Sequence, residues 1–213
     1  MRKLFLALLL LPIISQAQKK QISLEDIYKN RTFQGDVVPG FSELPLDSII
    51  HTNDVKDETG KQLNTKDFLL SEDKKRILFF TNRESIYRRS SKSNVYLFDV
   101  VSKKTSRLDD GKIMHASFSP DGSKIAFVKE NNLYLYDIPT GHSRAITTDG
   151  KWNFIINGNC DWVYEEEFGF TQAYQWSPKG DYLAYYRFDE SNVKEYEFTV
   201  FDSSYNKQYS YKY

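Results

Sequence analysis

The sequence predicts an all-β fold built from four-stranded antiparallel sheets, and three observations indicate this. The chain of 213 residues contains 15 Tyr, 15 Phe and 3 Trp, an aromatic content that favours strands over helices. A short pattern of a polar turn followed by an apolar strand occurs three times. Further strand-like sequence follows the copies, so each repeat is expected to form a small sheet of its own.

The repeated pattern covers residues 70–80, 118–128 and 176–186. Each copy begins with an aliphatic or aromatic residue, continues through a polar turn led by Ser, and ends in an apolar strand. In the second and third copies Pro follows the Ser, and Gly comes two residues after the Pro. This arrangement is typical of a tight turn that joins two antiparallel strands.

Two more strands are predicted after each of the first two copies. Residues 94–100 follow the first copy and residues 132–137 follow the second. A Pro-Thr-Gly turn at residues 139–141 then leads into residues 143–147. Four strands per repeat is the pattern of a β-propeller blade.

The spacing of the copies agrees with propeller blades of about 40–50 residues. The copies begin at residues 70, 118 and 176, which are 48 and then 58 residues apart. The extra length in the second interval predicts an insertion, at residues 152–170. An insertion between blades is a common place for a functional loop.

Three blades or part-blades do not close a propeller, which usually needs four to eight. We therefore expect an incomplete propeller, with residues 18–213 as the N-terminal part of a longer protein. Residues 22–53 have no clear pattern and are interpreted as an irregular lead-in. An alternative is that this lead-in and the C-terminal tail together form a small distorted closure.

Residues 1–17 have the pattern of a signal peptide. Two basic residues precede an apolar stretch at residues 4–14 that is too short to cross a bilayer. Small residues at Ser15 and Ala17 predict cleavage after Ala17. The sequence thus predicts an exported protein, periplasmic or secreted. An uncleaved N-terminal anchor is the alternative.

Charge and cysteine content exclude some functions. Lys plus Arg is 29 and Asp plus Glu is 29, so the net charge is zero, and no basic surface is expected to attract nucleic acid. Cys160 is the single cysteine, so no internal disulfide can form. It is interpreted as a small packing residue rather than a nucleophile, because no histidine near it in sequence could activate it.

The run of three carboxylates at Glu165, Glu166 and Glu167 is the main candidate for a site. It follows Asp161 and two aromatic residues, in a segment that otherwise favours β-structure. Adjacent like charges repel unless a cation compensates them. The run therefore predicts a site for a positive group such as a protonated amine, with a solvated acidic turn as the alternative.

These motifs resemble a known family. Residues 157–168 read Asn-Gly-Asn-Cys-Asp-Trp-Val-Tyr-Glu-Glu-Glu-Phe, and residues 176–178 read Trp-Ser-Pro. Together they resemble the N-terminal β-propeller of the dipeptidyl peptidase IV family, serine peptidases of prolyl-oligopeptidase type. Residues 22–28, 32–33 and 38–41 resemble the first strand of the same propeller.

The resemblance implies roles for particular residues. Glu166 and Glu167 would bind the free α-amino group of a peptide substrate, with Glu165 as a supporting neighbour. Arg88 would contact a backbone carbonyl of the substrate, and Arg89 takes that role if the register is shifted by one. The two aromatic residues before the glutamates are expected to pack rather than to touch substrate.

The resemblance also implies an activity, the removal of N-terminal dipeptides with Pro or Ala second from peptide substrates with a free N-terminus. In the family a C-terminal α/β-hydrolase domain supplies a Ser-Asp-His triad with the Ser in G-x-S-x-G, and members often form homodimers. These 213 residues contain no such motif, and His51, His115 and His142 have no triad-like context. We expect no catalytic residue, metal or cofactor here. The alternative is a propeller module that binds partners without catalysis.

Overall fold

The computed structural model describes residues 22–30, 55–63, 67–202 and 204–212. The predicted signal peptide, most of the lead-in and His51 lie outside these residues. Contacts divide the chain into two units, Met1–Pro45 and Leu46–Tyr213. None of the helices in the described ranges has the length and apolar character needed to cross a membrane.

Most of the regular structure in the described ranges is β-strand. The helices are α1 (Leu24–Tyr28) and α2 (Trp162–Phe168). The strands of the first half are β1 (Phe68–Leu70), β2 (Arg76–Ser85), β3 (Ser91–Asp99), β4 (Lys104–Arg107), β5 (Met114–Phe118), β6 (Lys124–Lys129), β7 (Asn132–Asp137) and β8 (His142–Ala145). The later strands are β9 (Ile155–Asn157), β10 (Tyr174–Trp176), β11 (Leu183–Tyr185), β12 (Arg187–Asp189), β13 (Glu195–Val200) and β14 (Lys207–Lys212).

Helix α1, in the first unit, differs from the strand expected there. The Ser23 hydroxyl accepts a hydrogen bond from the Asp26 backbone N–H at 3.1 Å. In return, the Asp26 carboxylate accepts from the Ser23 backbone N–H at 3.2 Å. This reciprocal capping box pairs two backbone donors that would otherwise lack partners, so a short helix forms despite the β-branched and aromatic residues nearby.

In the second unit, the first two repeats form the predicted four-stranded antiparallel sheets. Strands β1-β2-β3-β4 form one sheet and β5-β6-β7-β8 form the next, each in simple sequence order. The prediction of blade-like sheets is therefore confirmed. The third repeat forms a part-blade, because β10 pairs with β11 while β12 leaves to pair with β9 of the insertion.

The three Ser-led turns share one geometry. In each turn the Ser carbonyl accepts a backbone hydrogen bond from the residue three positions later, and that residue has a positive φ: Lys74, Gly122 and Gly180. In the second turn the Ser119 hydroxyl donates to Asp121, and this bond together with bonds from Ser123 lowers the pKa of Asp121 to about 2. Glycine suits the left-handed position because it has no Cβ to clash with the backbone.

Alternation along the strands places opposite faces in separate cores. On β2, Leu78 joins the cluster between the two sheets, while Ile77 and Phe79 join a cluster on the outer face. On β6, Phe127 faces the first sheet and Val128 faces the part-blade of β10 and β11. The sheets therefore stack face to face, which explains why their central strands are nearly continuous apolar runs.

Candidate functional site

The acidic run lies on helix α2, so the prediction that this segment forms β-structure was wrong. The Asp161 carboxylate caps the helix by accepting from the Tyr164 backbone N–H at 2.8 Å. Gly169 ends the helix in a left-handed conformation with φ of 74°. A capping Asp and a terminating Gly are standard helix boundary signals, and both were readable in the sequence.

A helix separates the three glutamates, because successive side chains are rotated by about 100°. Glu165 points inward and is only 1% exposed. The side chain of Glu166 is 15% exposed, and Glu167 is exposed to solvent. The three carboxylates are thus neighbours in sequence that lie in three different environments.

The buried Glu165 carboxylate binds the loop between β2 and β3. Its Oε1 accepts a hydrogen bond from the Arg89 backbone N–H at 2.6 Å and from the Ser90 backbone N–H at 3.0 Å. A carboxylate removed from water needs such donors, since an uncompensated buried charge is costly. This pair of bonds joins α2 to a loop that lies 75 to 76 residues earlier in the chain.

The two arginines of this loop have different partners. Arg88 Nη1 lies 3.2 Å from Glu166 Oε2 in an ion pair, although the Arg88 side chain is 72% exposed. Arg89 Nη1 instead donates to the Gly169 carbonyl oxygen at 3.4 Å, at the C-terminal end of α2. A cation near helix carbonyls that lack intrahelical partners is electrostatically favourable. Of the two, Arg88 is the guanidinium beside the acidic run.

Glu167 completes the predicted set. Within the described part of the chain, its carboxylate forms no hydrogen bond or ion pair. Arg88 thus pairs with Glu166, Glu165 binds the backbone directly after Arg88, and Glu167 is exposed on the same helix. An open carboxylate next to an exposed, weakly held ion pair can accept a cationic group from solution.

Aromatic residues support α2 from one side. The Tyr164 ring packs against Phe168, Phe170 and Phe188, with ring centroids 5.0, 6.2 and 4.7 Å away. Phe188 also stacks on Tyr186 at 6.0 Å. Such clusters add about 0.5–1.5 kcal/mol per pair beyond area burial. Tyr164 has the packing contacts expected of it.

Cys160 lies buried one residue before the cap of α2. Burial is the main cause that raises the pKa of its thiol to about 12, and the nearby Asp161 carboxylate adds to the effect. The thiolate is the nucleophilic form of cysteine, so this thiol is unreactive near neutral pH. The structure therefore agrees with a packing role.

His115 lies on β5 at a break in the pairing register. Its Nε2 is 2.8 Å from Asn159 Oδ1, and its carbonyl oxygen accepts a hydrogen bond from the Tyr174 hydroxyl. Burial lowers the pKa of the imidazole from its ordinary 6.5. His142, on β8, is exposed. In the described ranges, neither histidine side chain forms a hydrogen bond with an acidic or nucleophilic side chain.

We expect the folded protein to lose stability as the pH falls below about 6.5, and His115→Gln to reduce this loss. Because the pKa of His115 is lowered in the fold, the unfolded chain binds a proton that the folded chain excludes. Gln retains a donor toward Asn159 but does not titrate. Thermal unfolding midpoints at pH about 7.5 and about 5 measure the effect. His142→Gln is the exposed control, and an unchanged pH dependence in His115→Gln would contradict the expectation.

The described residues contain no group of three or more His, Cys, Asp or Glu side chains placed to hold a metal ion. The carboxylates of Glu166 and Glu167 and the guanidinium of Arg88 are groups suited to electrostatic recognition. The carboxylates accept hydrogen bonds from a cationic donor, and the guanidinium donates to an oxygen.

Comparisons with known proteins identify the family of the chain. The family model described as "Dipeptidyl peptidase IV (DPP IV) N-terminal region" matches residues 71–213. Dipeptidyl aminopeptidase B of Saccharomyces cerevisiae is 34% identical over 180 residues, which cover 83% of this chain and 22% of that protein. Dipeptidyl peptidase 4 of Sus scrofa is 36% identical over 157 residues, which cover 72% of this chain and 20% of that protein.

A solved structure supports the same family assignment. The crystal structure of Porphyromonas gingivalis dipeptidyl peptidase 4 superposes with a TM-score of 0.66 and 40% identity, over 71% of this chain and 22% of that one. The chain spans about a fifth of the length of the curated relatives it matches. Those relatives are dipeptidyl peptidases, and the family model covers well over half of the residues. The chain therefore belongs to the dipeptidyl peptidase IV N-terminal-region family.

Proposed function

We propose that this chain is the substrate-selecting N-terminal part of an exported serine-type dipeptidyl aminopeptidase, periplasmic or secreted, which removes N-terminal dipeptides with Pro or Ala second. The observation that carries the proposal is the Arg88–Glu166 ion pair beside the open Glu167 on α2. A Ser-Asp-His triad in a C-terminal α/β-hydrolase domain would perform the peptide hydrolysis. The peptide and that domain are the proposed partners, and a homodimer is part of the same proposal.

In this proposal Glu166 and Glu167 receive the substrate's α-ammonium group. An ammonium about 4 Å from a carboxylate gains on the order of 4 kcal/mol at an effective dielectric near 20, before desolvation is counted. Two carboxylates also offer several acceptor positions for the three N–H donors. A peptide whose amine is blocked, or extended into an internal peptide bond, lacks this charge. The site therefore selects peptides whose scissile bond lies at a fixed distance from a free N-terminus.

Arg88 then has two roles, one before and one after the substrate binds. Without substrate it neutralises part of the negative charge at Glu166, from which it lies 3.2 Å away. Exposed ion pairs of this kind contribute only about 0–1 kcal/mol. The guanidinium can therefore turn at little cost to donate to a substrate carbonyl oxygen once the ammonium has taken its place.

The test compares peptides with free and acetylated N-termini as substrates of the full-length protein that contains this chain. We expect acetylation to lower kcat/KM for dipeptide release about 1000-fold, as the loss of about 4 kcal/mol would. Amidation of the C-terminus of the same peptide is the matched control and should change little. Equal hydrolysis of free and acetylated peptides would contradict the proposal, and binding without cleavage would indicate a non-catalytic binding module.

A further inference from the structure

We infer that Glu165 is a positioning residue that holds Arg88 at the correct distance from Glu166; this inference rests on the proposed function of the site. Although Glu165 belongs to the acidic run, it is only 1% exposed, so a substrate ammonium cannot reach its carboxylate. Its Oε1 is already occupied by the backbone N–H groups of Arg89 and Ser90. Glu165 therefore acts on the neighbouring loop rather than on the substrate.

The loop depends on this anchor because the Arg88 side chain has little support of its own. That side chain is 72% exposed and has a single ion pair with Glu166. A flexible exposed arginine samples many rotamers unless its backbone is held. Directly after Arg88, the backbone N–H groups of Arg89 and Ser90 are held by Glu165 at 2.6 and 3.0 Å.

The same loop is held at a second point. The Arg89 guanidinium donates to the Gly169 carbonyl oxygen at 3.4 Å, at the end of α2. Gly169 has a φ of 74°, which favours glycine, and a Cβ there would lie 3.0 Å from Arg89 Nη1, so a larger residue would displace the guanidinium slightly. Glu165 thus holds the loop to the first turn of α2, and Gly169 holds the loop to the C-terminal end of α2.

Two conservative variants separate positioning from charge. Glu165→Gln removes the charge but keeps an oxygen at the same reach for both N–H groups. Glu165→Asp keeps the charge but shortens the side chain by one methylene, so the two buried donors lose their acceptor. If Glu165 positions the loop, Gln preserves the function and Asp does not.

The test measures kcat and KM for dipeptide release from a peptide with a free N-terminus, in the full-length protein. We expect Glu165→Asp to raise KM about tenfold and Glu165→Gln to change it less than about threefold. In an Arg88→Ala background, Glu165→Asp should add less than about threefold, since the side chain through which Glu165 acts is already gone.

The opposite ranking, with Gln more harmful than Asp, would overturn the inference in favour of a direct charge effect. A full additional loss in the Arg88→Ala background would overturn it in favour of general destabilisation. Both outcomes are distinct from failure of the proposed function, which Glu166→Gln and Glu167→Gln report separately. If Glu166→Gln and Glu167→Gln both leave kcat/KM unchanged, the amine site itself is wrong, whatever the two Glu165 variants show.

Discussion

Replacing Glu166 or Glu167 by Gln is expected to lower kcat/KM for dipeptide release about 100-fold, or about 2.7 kcal/mol in transition-state stabilisation. Gln keeps the size and one oxygen acceptor but removes the charge that attracts the substrate ammonium. For Glu166 the substitution also removes the ion pair with Arg88. Steady-state kinetics on a peptide with a free N-terminus measure both variants.

Glu72→Gln is the matched control, because Glu72 lies exposed in the first Ser-led turn, away from α2 in sequence. This control should retain the wild-type kcat/KM. Wild-type values in both Glu166→Gln and Glu167→Gln would refute the proposed roles. A loss in Glu166→Gln alone would assign the ammonium to that carboxylate and leave Glu167 as a solvated neighbour.

Phe127→Ala is expected to lower the free energy of unfolding by about 3–5 kcal/mol, the range for truncating a buried Phe. Phe127 lies on β6 with 0% exposure, in the cluster between the first and second sheets. Its ring stacks on Tyr134 at 5.4 Å between centroids. Truncation leaves a cavity in the layer that joins the sheet carrying the Arg88 loop to the next sheet.

Phe201→Ala makes the same chemical change at a residue that is 76% exposed. Since Phe201 is mostly in contact with water, its variant should change stability by less than about 0.5 kcal/mol. Denaturant unfolding of the full-length wild type and both variants provides the measurement. A loss below about 1 kcal/mol in Phe127→Ala would show that the two sheets do not depend on this packing.

The blade-like sheets were predictable because their signals are local. A Ser-led turn with Gly at the left-handed position joins two strands wherever it occurs, as at Ser119 and Gly122. The continuous apolar stretches around Ile77 and Ile125 predicted strands. Both signals act within about ten residues, so they can be read without knowing what packs on the strand.

The helix α2 was missed although its boundary signals are also local. Trp162, Val163 and Tyr164 favour strands by propensity. The cap at Asp161 and the stop at Gly169 favour a helix instead. Caps supply partners for backbone groups at each end of a helix. In this segment those partners and the aromatic packing of Tyr164 outweigh the weak intrinsic preferences.

Short stretches of the chain were enough to predict the four-stranded antiparallel sheets, the family and the segment that carries the acidic site, because turn chemistry, strand alternation and motif residues are all local. Tertiary contacts were needed to show which glutamate is buried and which arginine faces the acidic run. Those assignments depend on a loop at residues 86–90 that meets a helix about 75 residues later. The direction of each side chain there is set by that contact, and by the rotation of about 100° per residue along α2.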